Sequence, residues 1–479
     1  MLAETGGNFP GVGHDSLWDI WADICIDPNL ILRLAPESFT VDPHPPAELM
    51  ERRARDIGPS LSISYAEKLK MVRGEGAYLV DHTGRRHLDG VNNITHVGHC
   101  HPHVVAAIAR QAGILNTNTR YLSELMLDYS ERLTATLPGE LKVAYFVNSG
   151  TEANELALRI ARTAIGKKST VVLDWAYHGN SGGMVDVSPY KFKRKGGYPQ
   201  PGFVEIAAFP DPYRGAHKGM SEASGRAYAE DVGRCLDRVR AATGDGAAAF
   251  IAESISGVGG QVIYPDGYLK AAYERVRAAG GVCIADEVQC GFGRVGSAFW
   301  GFELQGVVPD IVVMGKPIGN GHPLAAVATT PELAARFANG MEYFNSFGGN
   351  PVSMAVGMAV LDVIEDEDLQ ARAKATGDYM LARFAEMATR HPLIGDVRGA
   401  GLFSGIELVR DRGTQEPATE EAGWIVNHIR QQGVLASTDG PFDNVLKFKP
   451  PMVFGKAEAD ILCAALDVAF ADLAKRGRA

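Results

Sequence analysis

The chain has 479 residues, 46% of them hydrophobic, and is long enough to bury a core without disulfides or metals as staples. It carries 47 Lys and Arg against 57 Asp and Glu, a net charge of −10. That balance argues against a nucleic-acid partner, because a phosphate-backbone binder needs a basic face. The six cysteines form no CxxC pair, which favours a reducing compartment. With no secretory leader and no apolar run of ~18 residues, we expect a soluble cytoplasmic protein.

The first part of the chain differs in composition from the rest. Residues 1–50 are rich in Pro, Asp and Gly and contain one short amphipathic stretch, DSLWDIWADICID. We predict an N-terminal extension there. Further on, GAYLVDHTGRRHLD alternates on either side of an Asp-His-Thr-Gly turn, which is typical of a β-hairpin.

The middle of the chain alternates between strand and helix patterns. Five short apolar runs suit strands buried on both faces of a parallel sheet: AYFVNS, STVVLD, AAAFIAES, GVCIADE and DIVVMG. Helical patterns such as ELALRIARTAI and YLKAAYERVRAAG lie between them, which predicts an α/β sheet with crossover helices. After Asn350 a long helical pattern, the strand-like LFSGIELV and a closing helix predict a separate α+β domain.

Two groups of residues after these strands suit binding of a phosphate and a planar ring. Ser149, Gly150 and Thr151 follow a strand and open a helix, where free N–H groups and the helix dipole favour a phosphate. A simple N-cap would explain the same hydroxyls. Tyr177, before His178, follows the next strand and could stack on a planar ligand, although core packing explains a lone aromatic equally well.

Two further groups carry charge. Lys316 follows the strand DIVVMG and precedes a glycine-rich turn, where a desolvated amine becomes nucleophilic. Asp286 ends the strand GVCIADE; a carboxylate there can hold a pyridinium nitrogen, and Gln289 can bond a ring hydroxyl. An exposed loop lysine and a helix cap are the ordinary alternatives. Since all four groups follow apolar strands, they would meet at one edge of one sheet, as pyridoxal phosphate requires.

The segments NSGTEANELALRIAR, WAYHG, IADEVQCGFGRVG, VMGKPIGNG and FGGNP resemble the class III aminotransferase family of pyridoxal-phosphate enzymes. The resemblance extends from about Ser62 to the C-terminus. It implies the aspartate-aminotransferase-like fold (fold type I), with a large domain around a mostly parallel seven-stranded sheet and a smaller α+β C-terminal domain. It also implies a homodimer with shared active sites, possible pairing into tetramers being left open.

The resemblance assigns roles to individual residues. Lys316 is implied to be the Schiff-base lysine and Asp286 the partner of the ring nitrogen. Ser346 stands where most relatives have a Thr that reaches the other subunit's phosphate. Residues implied to bind the cofactor are Ser149, Gly150, Thr151, Tyr177, His178, Glu253, Asp286, Val288, Gln289, Lys316 and Ser346.

The same resemblance divides the chain into four parts. Residues 1–50 form the extension, and residues 51–100 contribute to the small domain and the active site. Residues 101–345 form the large cofactor-binding domain, and residues 346–479 form the small C-terminal domain.

Two patterns suggest other chemistry and are set aside. GFGRVG spells the dinucleotide fingerprint but follows the DEVQ turn rather than a strand, so it does not predict nucleotide binding. Four histidines crowd around Cys100 without a known ligand spacing, and GHCHP is a recurrent motif of the family, so we predict no metal site. These histidines are His96, His99, His101 and His103.

The fold supports two reactions, and the substrate pocket decides between them. Several segments, among them NNITHVGHCHPHVV and GPFDNVLKFKPPM, are similar to the ethanolamine-phosphate and phosphohydroxylysine phospho-lyases. This branch implies elimination of phosphate from O-phosphoethanolamine or a related phosphorylated amine. The alternatives are a transaminase that passes an amino group to a 2-oxo acid, and a non-enzymatic protein that kept the fold. The presence of both Lys316 and Asp286 disfavours the latter.

Four residues are candidates for binding the substrate. The amides of Asn92 and Asn93 suit an anionic head group better than an alkyl chain. Arg398 in VRGAGLF matches the family's carboxylate-binding arginine and could bind either anion. Lys191, in a basic loop with Lys193, is a second candidate cation, and a solvated surface loop is its alternative explanation.

Overall fold

The computed structural model describes residues 44–476. The chain divides at Pro59 into two compact units, and the functional site lies in the unit that begins at Ser60. The first unit contains the helix Pro46–Asp56. The predicted amphipathic stretch at 15–27 lies outside the described residues, and the domain boundaries at 50, 100 and 345 stay predictions.

The elements alternate along the chain as the sequence patterns indicate. The α-helices are Pro46–Asp56, Pro102–Ala112, Glu124–Ala135, Gly150–Ile165, Gly182–Asp186, Pro189–Phe192, Glu222–Thr243, Tyr268–Ala278, Pro331–Phe337, Pro351–Asp366, Leu369–Arg390, Thr419–Gln431 and Lys456–Arg476. The strands are β1 (Met71–Glu75), β2 (Tyr78–Asp81), β3 (Arg86–Asp89), β4 (Val143–Val147), β5 (Thr170–Leu173), β6 (Val204–Ala207), β7 (Ala249–Glu253), β8 (Val282–Asp286), β9 (Ile311–Met314), β10 (Ala325–Thr329), β11 (Ile394–Ala400), β12 (Phe403–Asp411), β13 (Glu416–Pro417), β14 (Val434–Leu435), β15 (Ser437–Asp439) and β16 (Val445–Phe448).

The central sheet has seven strands in the order β4-β10-β9-β8-β7-β5-β6. Only β10 runs antiparallel to its neighbours, which confirms the mostly parallel α/β sheet of the predicted fold. The sequence patterns identified five of these strands and missed β6 and β10. The β6 sequence VEIA has only four residues and includes a charged glutamate, and the β10 sequence AAVAT is mostly alanine; both residue types have little strand preference.

The sheet is buried on both faces, because parallel strands connected by crossover helices are covered on each side. Every residue of β8 and β9 is buried. The helix Gly150–Ile165 packs Leu156, Ile160 and its alanines against one face of the sheet. None of the helices within residues 44–476 is both long and apolar enough to cross a bilayer.

Two smaller sheets accompany the central one. The predicted hairpin is confirmed as β2 and β3, and β1 and β14 complete its sheet in the order β1-β2-β3-β14. The other sheet has the order β11-β12-β16-β15, with β13 paired to β12. The helical pattern after Asn350 is two helices rather than one, since Asp368 adopts a left-handed conformation (φ 50°) between them.

Gly357 permits the close contact between the helices Pro351–Asp366 and Glu124–Ala135. A Cβ atom at this position would lie 2.2 Å from Cζ of the buried Tyr129.

We expect Gly357→Ala to lower the free energy of unfolding by ~1–3 kcal/mol, the range for overpacking a core. In the matched control Gly423→Ala, also inside a helix, the Cβ would meet nothing within 4 Å, so the change should stabilise by up to ~1 kcal/mol. Urea unfolding of both variants checks this; equal effects would contradict it.

Candidate active site

The predicted groups line one cavity of about 260 Å³ at the carboxyl edge of the central sheet. They follow β4, β5, β7, β8 and β9, whose carboxyl ends share that edge. A larger cavity of about 490 Å³ lies next to it and shares Thr151, but neither Lys316 nor Asp286 lines it. We therefore place the site in the smaller cavity. Its lining residues are Ser149, Gly150, Thr151, Asn154, Tyr177, His178, Gly179, Asn180, Glu253, Asp286, Val288, Gln289 and Lys316.

The helix that begins at Gly150 points its N-terminus at this cavity. Ser149 is its N-cap and accepts a hydrogen bond from the N–H of Glu152 at 3.3 Å. The Thr151 hydroxyl accepts from the N–H groups of Asn180 and Ser181, at 3.0 and 3.2 Å. Since the first N–H groups of a helix have no partner within it, this end favours an anion.

Gly179 is a glycine for a steric reason. Its φ is +149°, and a Cβ atom there would lie 2.2 Å from the Thr151 hydroxyl oxygen. Any side chain would therefore displace the hydroxyl that closes this end of the cavity.

Asp286 is buried at the end of β8 and is held by two side chains. Its Oδ2 atom accepts from Nδ2 of Asn154 at 2.9 Å and lies 2.8 Å from Nδ1 of His178. The same Asn154 amide donates to the backbone carbonyl of His178 at 2.8 Å. His178 thus donates through Nδ1, and its buried Nε2 atom has no partner among the described residues. The carboxylate is fixed in place and exposed to a ligand from the cavity side.

Lys316 follows β9 directly and has a positive φ of 32°, which is uncommon for a residue with a side chain. Burial lowers the pKa of its amine, while the negative charges of Asp286 and Glu253 raise it. The lowered pKa makes the neutral, nucleophilic form more accessible at neutral pH. The backbone conformation and the burial together aim a reactive amine into the cavity.

Val288 forms an apolar wall of the cavity beside Gly150, at the helix N-terminus that favours an anion. Its methyl groups lie about 3.0 Å from where a Cβ of Gly150 would be, and 3.2 Å from that of Gly315. The two glycines therefore let the isopropyl group sit close to the backbone. Tyr177, half-buried, also lines the cavity and packs edge-on against Tyr190, with ring centroids 5.9 Å apart.

A polar chain runs from the cavity to a lysine that sequence reasoning missed. Nε2 of Gln289 lies 3.4 Å from Oε1 of Glu253, while Oε1 of Gln289 accepts from Nζ of Lys449 at 2.8 Å. Burial and the Asp286 charge raise the pKa of Glu253 to about 8, and burial lowers the pKa of Lys449 to about 7. Sequence reasoning also missed Asn154. One signal could have revealed both Asn154 and Lys449, because each is a polar residue within an otherwise apolar buried pattern.

The four candidate substrate residues are placed differently. Nδ2 of Asn93 lies 3.4 Å from Oε1 of Gln289, next to the cavity, whereas the side-chain Oδ1 of Asn92 accepts from the N–H of Ile94 in its own turn. The Lys191 amine lies 5.3 Å from the centre of the Tyr177 ring. The fourth candidate, Arg398, is buried and does not line the cavity.

The guanidinium of Arg398 is fully engaged. It contacts carboxylate oxygens of Asp396 and Glu407, both at 2.7 Å, and donates to the carbonyl of Gly260. Ser346 is exposed and is not part of the cavity of its own chain.

The histidines near Cys100 each contact a protein group. His99 pairs with Asp89 at 2.7 Å, and His96 lies between the Phe292 carbonyl and Arg294. The two other histidines pair with carboxylates on the helix Pro351–Asp366 and just after it. Within residues 44–476 no group of three potential ligands could hold a metal ion.

The fold and the cavity define an enzyme of the pyridoxal-phosphate class with fold type I. The profile of the family described as "Aminotransferase class-III" matches residues 63–470. The chain belongs to the class III aminotransferase family, and its cofactor is pyridoxal 5′-phosphate.

Its relatives carry two kinds of name. The chain is 49% identical to "Alanine--glyoxylate aminotransferase 2-like" of Drosophila melanogaster, over 86% of this chain and 85% of that protein. It is 40% identical to "Ethanolamine-phosphate phospho-lyase homolog 1" of Caenorhabditis elegans, over 89% of this chain and 94% of that protein. Among solved structures, a phospholyase from Arthrobacter in complex with phosphoethanolamine matches with a TM-score of 0.84 and 40% identity, over 88% of this chain and 99% of that one.

The residues of the cavity fit this cofactor. The helix N-terminus at Gly150 would hold its phosphate, Asp286 its ring nitrogen and Lys316 its aldehyde carbon. The fit is chemical as well as spatial, because the cavity combines a buried amine, a fixed carboxylate and an anion-binding helix end. The individual roles stay predictions that mutation can test.

Lys316→Ala should abolish turnover and the visible absorbance band of the bound cofactor, because no other amine lines the cavity. The matched control is Lys167→Ala, which removes a partly buried lysine paired with Asp245 outside the cavity. Spectra and rates of both purified variants check the assignment. A normally coloured, active Lys316→Ala enzyme would refute it.

Proposed function

We propose that the protein is a phospho-lyase. It converts O-phosphoethanolamine, or a related phosphorylated amino alcohol or amino acid, to an aldehyde, ammonia and inorganic phosphate. A proton leaves the carbon that bears the amine, and the neighbouring C–O bond breaks as phosphate departs. The carbon that carried the phosphate then takes up a proton, and water supplies the aldehyde oxygen as the nitrogen leaves as ammonia, so atoms and charges balance without a 2-oxo acid.

Different residues of the cavity have different roles in this reaction. The bound cofactor supplies a ring that accepts the electrons of the broken C–H bond. The Lys316 amine takes the proton, because its lowered pKa leaves an unprotonated fraction available. Asp286, held by Asn154 and His178, keeps the ring nitrogen protonated. Val288 and Tyr177 confine the ring between apolar surfaces.

The observation that carries the proposal is whether each candidate cation already pairs with a carboxylate. The Lys191 amine lies beside Tyr177 and pairs with no carboxylate among the described residues, whereas its neighbour Lys193 pairs with Asp174 at 2.7 Å. Arg398, in contrast, already has two carboxylate partners. An unpaired amine next to the cavity suits a phosphate, while a saturated guanidinium is poorly placed to receive a carboxylate.

The comparisons support the same reaction. One relative is named as a phospho-lyase homolog, and the Arthrobacter phospholyase structure contains phosphoethanolamine. Both similarities extend over nearly the whole chain, so they include the residues around the cavity.

A second candidate is a transaminase that moves an amino group to a 2-oxo acid. It is favoured by the 49% identity to a protein named as an alanine–glyoxylate aminotransferase 2-like enzyme. Binding a substrate carboxylate through Arg398 would require this guanidinium to exchange Asp396 or Glu407 for the ligand. A transaminase would therefore have to break an existing ion pair of Arg398 to bind its substrate, whereas the lyase would not.

We further propose a homodimer with shared sites. A surface that includes Tyr121, Leu122 and Phe347 is exposed, and Arg120 links its two segments by contacting Glu342 and the Phe344 ring. Exposed apolar surface of this kind marks an interface. Ser346 lies within the second segment, where it could reach the partner's phosphate.

The location is proposed on chemical grounds. The five cysteines within the described residues are all free thiols, which supports the proposal of a reducing compartment such as the cytoplasm.

The lyase predicts phosphate and aldehyde release from O-phosphoethanolamine with purified enzyme, added cofactor and no 2-oxo acid. Phosphate, ammonia and aldehyde should appear in equal amounts, because one C–O bond breaks per turnover. The control is the same mixture with the Lys316→Ala protein. Release of none of the three, with amino transfer once pyruvate is added, would replace the lyase with the transaminase.

Lys191→Met should raise the KM for O-phosphoethanolamine by about tenfold, since losing one charge-assisted hydrogen bond costs about 1.4 kcal/mol or more. The matched control Lys193→Met removes a lysine two residues away that already pairs with Asp174. Its KM should stay near that of the wild type. If the two variants behave alike, the phosphate is held by another residue.

A further inference from the structure

Lys449 is a buried lysine whose amine has no carboxylate partner. It is 2% exposed, and no carboxylate of residues 44–476 lies within 4.0 Å of Nζ. Two residues before it, Lys447 on β16 pairs with Asp439 at 3.1 Å. The Lys449 amine instead donates to Oε1 of Gln289 at 2.8 Å and lies 4.5 Å from the centre of the Phe403 ring. A buried charge of this kind is costly and is characteristic of functional sites.

The amine is close to the cavity but does not line it. Gln289 stands between them: it lines the cavity and contacts Lys449 with its carbonyl oxygen. The amine therefore acts on a bound ligand through Gln289 rather than by direct contact.

The surroundings of Gln289 permit one orientation of its amide. The carbonyl oxygen faces two donors, Nζ of Lys449 at 2.8 Å and Nδ2 of Asn93 at 3.4 Å. The amide nitrogen faces Oε1 of Glu253 at 3.4 Å. A flipped amide would turn its NH₂ group toward Nδ2 of Asn93 and, when Lys449 is protonated, toward the ammonium, and these donor–donor contacts would be repulsive.

We propose that Lys449 is a positioning residue that fixes the carboxamide of Gln289 with its N–H group, rather than its carbonyl, toward the cavity. Gln289 then presents a donor to the ring oxygen of the cofactor. The ammonium also polarises the amide, because it withdraws electron density through the carbonyl oxygen. The inference rests on the cofactor and the geometry, and it holds for the lyase and the transaminase alike.

The charges around Lys449 are consistent with this role. Glu253 and Asp439 attract its positive charge, while Lys316 and Lys447 repel it. Glu253 lies at the other end of the same polar chain, so Gln289 bridges an acid and a base. Replacing Lys449 with an apolar side chain removes one of the two donors to the carbonyl oxygen of Gln289. Among the described residues, Asn93 is then the donor that remains.

The test is the visible pH titration of the holoenzyme without substrate, comparing wild type with Lys449→Met. A donor to the ring oxygen stabilises its ionised form, so losing that donor should raise the titration midpoint by roughly one pH unit. Cofactor affinity, measured by fluorescence, should fall by about tenfold. The matched control Lys167→Met removes a partly buried lysine paired with Asp245 and should shift neither quantity.

Two more variants separate positioning from a structural role. Lys449→Arg keeps the donors, so its midpoint should stay near that of the wild type. In a Gln289→Ala background, Lys449→Met should cause no further shift. An unchanged midpoint in Lys449→Met with a less stable apoenzyme, or an equal shift in the Gln289→Ala background, would overturn the proposal. If Lys449→Met does not fold, a shift in Lys449→Arg as large as that in Gln289→Ala would overturn it too. Because no substrate is present, these outcomes are independent of the phosphate-release assay.

Discussion

The buried carboxylate of Asp286 is the constraint on which the rest of the site depends. It must remain accessible from the cavity while being held by the protein, and two side chains achieve this: Asn154 from the helix that begins at Gly150, and His178 from the segment after β5. These contacts tie the anion-binding helix end and the aromatic segment to the strand that carries the carboxylate. A shift in any one element would therefore disturb the other two.

The second requirement is that several charges coexist in a small buried volume. Lys316 and Lys449 are offset by Asp286 and Glu253, and the pKa shifts of Glu253 and the two lysines show that burial opposes the ionised forms. Burial raises the pKa of the acid and lowers the pKa of the two amines, and shifts in these directions favour proton transfer. Gln289 contacts both Glu253 and Lys449, so this uncharged amide transmits the effect of the Lys449 charge to the cavity.

The proposed substrate choice depends on which of the two candidate cations, Arg398 and Lys191, already has carboxylate partners. The structure gives Arg398 two carboxylates and, among the described residues, gives Lys191 none, although the sequence names Arg398 as the family's carboxylate-binding arginine and Lys191 only as a second candidate. A lyase and a transaminase can share the same cofactor residues, since both begin with loss of the same proton. What distinguishes them lies outside the cofactor site, in which anion the pocket stabilises.

The sequence by itself determined the α/β fold, the order of its main strands and the residues at their ends, because buried strands have recognisable apolar patterns and their polar end residues stand out. It missed β6 and β10, because the β6 run VEIA includes a charged glutamate and the β10 run AAVAT is mostly alanine, and both residue types have little strand preference. Pairing with neighbouring strands of the sheet fixes both as strands. Only the tertiary structure decided that Asn154 and Lys449 belong to the site, that Arg398 is saturated and that Ser346 lies outside its own cavity. The contacts of Asn154 with Asp286 and of Lys449 with Gln289 join residues more than a hundred positions apart, and no local pattern encodes such a distance. Arg398 pairs with nearer residues, Asp396 and Glu407, but only the folded strands bring both carboxylates to its guanidinium.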